Sequence, residues 1–103
     1  MLVSVIIPTK NRGHIIKETL DSILCQSYVK WECIIVDDGS NDNTVSVVSD
    51  YMKTDARFQF FARPKYKIKG ANSCRNIGFE KAKGEFINWF DSDDTMQPTK
   101  IEK

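Results

Sequence analysis

Residues 31–37 read WECIIVD, and this stretch is the clearest indication of the fold. Its last apolar residues, from Cys33 to Val36, are adjacent, whereas a strand with one wet face would alternate apolar and polar side chains. Continuous apolar runs of this length are typical of strands that are buried on both faces. The residues DGSNDNT follow, and they favour a turn and the start of a helix. The stretch therefore predicts a buried strand that leads through a short loop into a helix.

The same alternation of strand and helix extends in both directions along the chain. Three further apolar runs predict strands at Leu2–Pro8, Arg57–Arg63 and Glu85–Phe90. The spacing of apolar residues predicts helices at His14–Gln26, around a face made by Val45, Val48 and Met52, and at Ala71–Lys83. Gly78 weakens the last helix prediction. The order predicts the α/β class, a three-layer α/β/α domain with a mainly parallel sheet of about four strands.

The composition is that of one small globular domain, which we expect to span residues 1–103. Hydrophobic residues make up 41% of the chain and charged residues 28%. Fifteen basic and fourteen acidic side chains give a formal net charge of +1, which argues against a nucleic-acid or membrane-surface binder. No apolar run approaches the roughly 20 residues of a membrane-spanning helix. The three cysteines have no paired spacing, so the sequence predicts reduced thiols in a cytosolic protein.

Polar clusters follow three of the predicted strands directly. They are Pro8–Arg12 after the first strand, Asp37–Ser40 after the second and Asp91–Asp94 after the fourth. In a parallel sheet the carboxyl ends of the strands share an edge, and ligands bind there. The sequence therefore predicts a ligand site at this edge.

The acidic cluster ends the stretch EFINWFDSDD, in which an apolar strand leads into neighbouring carboxylates. Such carboxylates repel one another unless a positive charge offsets them. Asp91 and Asp93 point to the same side of an extended segment, and Mg²⁺ and Mn²⁺ prefer carboxylate oxygens. A solvated acidic turn is the alternative. The position at the end of a buried strand favours a metal site.

The other polar residues at this edge allow more than one role. Asp38 could accept a hydrogen bond from a base or a ribose hydroxyl, or it could stabilise a turn. For Ser40 and Asp42 the sequence favours capping of the next helix. If a diphosphate binds here, Arg12 and Arg75 are candidate partners, with Arg75 the better one.

Three blocks of the sequence, in order and spacing, resemble the N-terminal half of family 2 glycosyltransferases with the GT-A fold. They are VSVIIPTKNR at 3–12, ILCQSYVKWECIIVDDGSNDNT at 23–44, and GANSCRNIGFEKAKGEFINWFDSDD at 70–94. The resemblance implies a nucleotide-diphospho-sugar donor, commonly UDP-linked, and an inverting transfer assisted by Mn²⁺ or Mg²⁺. It also implies a saccharide or lipid-linked acceptor, such as a growing surface polysaccharide.

Carried over to this sequence, the resemblance implies a role for each matching residue. Pro8 and Thr9 would line the nucleotide pocket, Asp38 would contact the uracil, and Arg75 would approach the nucleotide or its phosphates. Within the DxD motif, Asp91 would face the ribose and share the metal with Asp93. The implied nucleotide-sugar-binding set is completed by Asn11, Arg12 and Ser92. Lys10 departs from the family, in which an aromatic residue is common at this position.

Relatives continue into an acceptor-binding half that supplies the general base, whereas this sequence ends at PTKIEK, where Pro98 would begin another helix. We therefore expect a donor-binding half that contains no catalytic base, is inactive alone and self-associates through Trp89 and Phe90. The resemblance implies a cytoplasmic protein, with the inner face of the membrane an option for the full-length protein.

Two other functions compete with this interpretation. A nucleotidyltransferase of similar topology would also bind a nucleotide and a metal, but PTKNRG lacks the glycine-rich loop that such enzymes carry. A nucleotide-binding module without activity would use DSDD only as an acidic cap. Metal-dependent binding of UDP would distinguish the donor site from this module.

Overall fold

The computed structural model describes residues 2–64 and 70–89. In these ranges four parallel strands form one sheet in the order β3-β2-β1-β4, with β1 at Val3–Thr9, β2 at Trp31–Asp37, β3 at Phe58–Ala62 and β4 at Phe86–Trp89. The strands are connected by helices α1 at Ile16–Leu24, α2 at Thr44–Thr54 and α3 at Ala71–Lys81. The predicted α/β class and parallel sheet are confirmed.

Helices cover both faces of the two central strands. Odd-numbered residues of β1 and β2, such as Ile7 and Ile35, pack in one cluster with apolar residues of α1 and α2. On the other face, Ile34 and Val36 pack against Cys74 and Ile77 of α3. Because both faces are buried, β1 and β2 need apolar residues at nearly every position, which explains their continuous apolar runs.

The predicted packing face of α2 is wrong in part. Val48 is fully buried as expected, but Val45 is 45% exposed and Met52 is 40% exposed. Tyr51 packs instead, and its ring meets Phe58 of β3 edge to face with 5.6 Å between the centroids. Helical spacing allows two packing faces that share Val48, one with Val45 and Met52 and the other with Tyr51. The position of β3 selects the face with Tyr51.

Gly78 lies within α3 because the helix approaches β1 closely. A Cβ atom at this position would lie 2.4 Å from Cγ2 of Ile6, which is closer than carbon atoms can approach. The intrinsic cost of a helical glycine, about 1 kcal/mol relative to alanine, is therefore offset by contact between the helix and the sheet.

A buried carboxylate links the strands near their amino-terminal ends. Glu32 of β2 is only 5% exposed. It accepts hydrogen bonds from the Ser4 hydroxyl of β1 at 2.5 Å, from Nε2 of Gln59 of β3 at 3.0 Å, and from the backbone N–H of Lys83 at 2.6 Å. The Ser4 hydroxyl in turn accepts the N–H of Gly84 at 2.8 Å. One side chain thus joins three neighbouring strands and the turn that leads into β4.

The hydrogen bonds to Glu32 also set its charge state. Burial raises its pKa, but the hydrogen bonds from Ser4, Lys83, Gln59 and Gly84 outweigh burial, and the pKa lies below its ordinary value of 4.5. A lowered pKa in the folded state means that ionised Glu32 stabilises the fold above pH 4.5. This contribution is lost as the pH falls through the folded-state pKa.

We predict that Glu32→Gln lowers the free energy of unfolding at neutral pH by about 1–3 kcal/mol, because an amide group cannot accept all of these donors. The difference from wild type should shrink as the pH falls below 4.5 and through the lower folded-state pKa, at which the buried carboxylate becomes protonated. Urea unfolding at several pH values measures both effects. Glu80→Gln, an exposed position on α3, is the control and should change stability little. A Glu32→Gln difference that does not depend on pH would contradict the assignment.

Candidate functional site

The carboxyl ends of three strands meet at one edge of the sheet, as predicted. Thr9 at the end of β1 lies opposite Asp37 at the end of β2, and β4 runs parallel to β1 on its other side. The chain passes from β1 to β2 on one face of the sheet and from β3 to β4 on the other. The direction of winding therefore changes between β1 and β4, which is where open α/β sheets bind ligands.

The loop after β2 folds around the carboxylate of Asp37. This carboxylate accepts the N–H of Gly39 at 3.2 Å, the N–H of Ser40 at 2.8 Å and the hydroxyl of Ser40. Gly39 has φ +88°, a conformation that glycine adopts without steric cost. The capping role predicted for Ser40 is wrong, because its hydroxyl lies between Asp37 and the N–H of Asn11.

Asp42 does support the start of α2. It accepts the N–H of Thr44, the first residue of the helix, at 2.9 Å, and the N–H of Gly13 at 3.2 Å. The hydroxyl and N–H of Thr44 lower the pKa of Asp42 against the opposing effect of desolvation, and Gly13 adds to them. The carboxylate therefore also joins the loop after β1 to α2.

Asn11 connects the loops after β1 and β2, a role that sequence reasoning missed. Its N–H donates to the Ser40 hydroxyl oxygen at 2.8 Å, and its side-chain oxygen accepts the N–H of Asn41 at 2.8 Å. Asn11 has φ +52°, a left-handed conformation that asparagine tolerates better than other side chains. Asn11 thus shapes the edge of the site. Its predicted contact with the nucleotide sugar stays a prediction.

Pro8 and Thr9 are buried at the end of β1, and the side-chain oxygen of Thr9 differs from the other buried polar atoms in its hydrogen bonding. Thr9 is 4% exposed, and its hydroxyl has no hydrogen-bond partner within residues 2–64 and 70–89. A buried polar group without a partner destabilises a fold by about 1–3 kcal/mol. A buried polar atom that lacks a partner within the described residues, at the end of a sheet where open α/β folds bind ligands, is a candidate contact for a ligand.

Asp38 forms a nearly buried ion pair with Arg63. Nε of Arg63 donates to Oδ1 of Asp38, and the N–H of Gly70 donates to Oδ2 at 3.0 Å. The side chains of Arg63 and Asp38 are 7% and 12% exposed. Arg63 further donates through Nη1 to the carbonyl of Pro64 at 3.0 Å. Sequence reasoning missed Arg63, because a single arginine at a strand end carries no pattern.

The two predicted phosphate partners occupy different settings. Arg12 is exposed in the loop after β1, and its backbone N–H donates to the Thr44 hydroxyl at 3.0 Å. Arg75 is half-buried on α3. Its neighbour Cys74 is buried, and burial raises the pKa of that thiol to about 11, with the negative charge of Asp38 adding to the effect. The first turns of α3 thus lie close to Asp38.

The predicted metal ligands Asp91 and Asp93, with Ser92 between them, lie outside the described residues. Within residues 2–64 and 70–89 no group of three or more histidine, cysteine or acidic side chains is placed to hold a metal ion. No helix in the same ranges is long and apolar enough to cross a membrane.

The expected self-association surface is described only in part. Phe90 lies outside the described residues, as does the side chain of Trp89. Nearby, Phe79 of α3 is 59% exposed and Phe86 of β4 is 54% exposed. Self-association stays a prediction.

Residues 4–103 match the family model described as Glycosyl transferase family 2. The chain belongs to this family. Two curated relatives illustrate the match. This family 2 chain is 40% identical over 93 residues to a Campylobacter jejuni GalNAc(5)-diNAcBac-PP-undecaprenol β-1,3-glucosyltransferase. It is 39% identical over 101 residues to an Escherichia coli UDP-Glc:α-D-GlcNAc-diphosphoundecaprenol β-1,3-glucosyltransferase. These matches cover 90% and 98% of the chain but only 30% and 38% of the two relatives.

Solved structures show the same fold. S. aureus TarS in complex with UDP-GlcNAc superposes with a TM-score of 0.90 at 31% identity, over 99% of this chain and 29% of that one. A Pyrobaculum calidifontis mannosyltransferase in complex with GDP-Man and Mn²⁺ superposes with a TM-score of 0.79 at 32% identity, over 88% and 27%. The GT-A type of fold predicted for this family 2 chain is confirmed.

We predict that Asn11→Ala destabilises the chain more than Asn11→Gly. Both changes remove the hydrogen bond with the N–H of Asn41, which contributes about 1 kcal/mol to stability. Alanine is destabilised by a further ~1–2 kcal/mol, because its Cβ atom is strained at positive φ and glycine has none. Urea unfolding of both variants measures the difference. Asn76 is the matched control, since it is exposed within α3, where alanine should be more stable than glycine by about 1 kcal/mol. The same order of stability at both positions would contradict this account of Asn11.

Proposed function

We propose that this chain is the donor-binding part of a metal-dependent, inverting glycosyltransferase that takes its sugar from a UDP-sugar. The acceptor is a saccharide or a lipid-linked saccharide in surface polysaccharide assembly. The general base belongs to an acceptor-binding half outside these 103 residues, so the chain binds donor but transfers no sugar by itself. Membership of glycosyl transferase family 2 supports the reaction class.

The observation that carries the donor site is the buried hydroxyl of Thr9. It lies where the winding of the sheet reverses, and it has no hydrogen-bond partner in the described part of the chain. A bound nucleotide would supply a partner for it. S. aureus TarS, which shares this fold at 31% identity, was solved with UDP-GlcNAc.

The other proposed donor contacts come from the loops after β1 and β2 and from α3. Asp38 accepts a hydrogen bond from the uracil, while Pro8 and Asn11 shape the pocket beside it. Arg12 and Arg75 would offset the negative charge of the diphosphate, and an arginine can bind two phosphate oxygens at once. These contacts hold and orient the donor. Within this chain we assign no residue to proton transfer.

The metal is proposed to be Mn²⁺ or Mg²⁺, held by Asp91 and Asp93 of the DxD motif. Carboxylate oxygens are the hard donors that both ions prefer, and in the sequence only Phe90 separates the motif from the end of β4. Bound there, the ion would stabilise the negative charge that develops on the leaving diphosphate. A mannosyltransferase of the same fold was solved with GDP-Man and Mn²⁺.

The acceptor class is supported by the names of two relatives. Both the Campylobacter jejuni and the Escherichia coli proteins are named for transfer to diphosphoundecaprenol-linked saccharides. On this basis we propose that the acceptor of this chain is also linked to a lipid and that the transfer takes place at the inner face of the membrane.

We predict that Thr9→Val has opposite effects on stability and on binding. Without ligand, the variant should be more stable by about 1 kcal/mol, because it removes a buried hydroxyl that has no partner. Binding of UDP should weaken by roughly two- to tenfold, because the same hydroxyl bonds to the nucleotide. Urea unfolding and calorimetric titration with UDP in Mn²⁺ measure the two effects. Ser46→Ala, an exposed hydroxyl on α2, is the control. Loss of stability together with unchanged binding would show that the hydroxyl is structural.

We further predict that UDP stabilises the chain against heat only when Mn²⁺ or Mg²⁺ is present. A hundredfold excess of ligand over its dissociation constant stabilises a fold by about 2.7 kcal/mol. Thermal melts with UDP and metal, and with UDP and a chelator, test this directly. Asp93→Asn should abolish the metal-dependent shift, whereas Asp50→Asn on the exposed face of α2 should retain it. Equal shifts in metal and in chelator would exclude a metal role for the DxD motif.

A further inference from the structure

We propose that Arg63 is a positioning residue for recognition of the nucleotide base. Its guanidinium holds the Asp38 carboxylate in the orientation in which that carboxylate accepts a hydrogen bond from uracil. The inference rests on the proposed function, since it takes Asp38 as the group that contacts the base. Arg63 itself is not assigned a contact with the donor.

The contacts of Asp38 fix both of its carboxylate oxygens. Nε of Arg63 binds Oδ1, and the N–H of Gly70 at the start of α3 binds Oδ2 at 3.0 Å. Arg63 is itself anchored, because its Nη1 donates to the Pro64 carbonyl and its N–H to the Asp37 carbonyl, at 3.0 and 2.8 Å. Two donors from two different elements thus define the plane of one carboxylate.

The chemistry of the carboxylate explains why its orientation affects specificity. An ionised carboxylate only accepts hydrogen bonds, and its two oxygens offer about four lone-pair directions. Within residues 2–64 and 70–89, Arg63 and Gly70 take one direction on each oxygen, so acceptor capacity remains for a ligand. Uracil carries a hydrogen on N3, whereas cytosine does not. A carboxylate held toward the base therefore favours UDP over CDP.

Burial makes the guanidinium more than a surface counter-ion. The side chains of Arg63 and Asp38 are 7% and 12% exposed, so neither charge is well solvated. Without Arg63, the Asp38 carboxylate would turn toward water or toward another donor. Lysine would keep the charge, but its flexible stem and compact ammonium do not define a plane as the guanidinium does.

The chain offers a matched control at the other end of β3. Arg57 also pairs with an aspartate, donating from Nη2 to Oδ2 of Asp55 at 2.6 Å. It also stacks over the ring of Trp31, 3.9 Å from the centroid. Arg57 precedes β3 and Arg63 follows it, so the two arginines lie at opposite ends of this strand. Removal of Arg57 disturbs an ion pair without touching Asp38.

The experiment measures the dissociation constants of UDP and CDP by calorimetry in Mn²⁺, for wild type, Arg63→Gln, Arg63→Lys and Arg57→Gln. The ratio of the CDP constant to the UDP constant is the readout, because partial unfolding weakens both nucleotides equally and leaves it unchanged. We expect Arg63→Gln to lower the ratio by roughly tenfold, the value of one charge-assisted hydrogen bond. Arg63→Lys should lower it less, and Arg57→Gln should keep the wild-type ratio.

Each outcome decides between the two proposals. A wild-type chain that binds neither nucleotide overturns the proposed function itself. If wild type prefers UDP and Arg63→Gln keeps the same ratio, the donor site stands and the role of Arg63 is overturned. If Arg63→Gln does not fold, Arg63→Lys decides, and a wild-type ratio in that variant overturns the inference. A ratio that falls equally in Arg57→Gln would overturn it too.

Discussion

Burial of β1 and β2 on both faces is the constraint on which the rest of the structure depends. Side chains of α1 and α2 cover one face, and side chains of α3 cover the other. Polar groups in the middle of these strands would lack partners, so the polar chemistry lies at the strand ends. The approach of α3 is close enough that Gly78 has no room for a Cβ atom against Ile6.

The two ends of the central strands satisfy their polar groups differently. At the amino-terminal end, Glu32 is surrounded by donors from β1, β3 and the turn before β4. At the carboxyl end, Thr9 has a buried hydroxyl without a partner in the described residues. The Glu32 carboxylate and the Thr9 hydroxyl are thus buried to a similar extent but differ in their hydrogen bonds. The satisfied one stabilises the sheet, whereas the unsatisfied one lies at the strand end where open α/β sheets bind ligands.

The loops at the carboxyl end are preorganised by bonds between them. Asn11 and Ser40 connect the loop after β1 to the loop after β2, and Asp38 extends the connection to Arg63 and Gly70. This arrangement lies within the part of the chain that matches glycosyl transferase family 2 and TarS. Loops that are already ordered lose little conformational entropy when a ligand binds, which favours affinity.

The sequence by itself determined the class of fold, because continuous apolar runs such as Ile34–Val36 alternate with helical patterns, and both are local properties. It also determined the edge at which the polar residues meet and, through three ordered motifs, the family. Only the tertiary structure decided which face of α2 packs, since Val45 and Tyr51 both fit a helical stripe and the position of Phe58 selects between them. The contacts between Asp38 and Arg63 and between Glu32 and its donors were likewise unpredictable. They join residues at least 25 positions apart, and no local periodicity encodes such pairs.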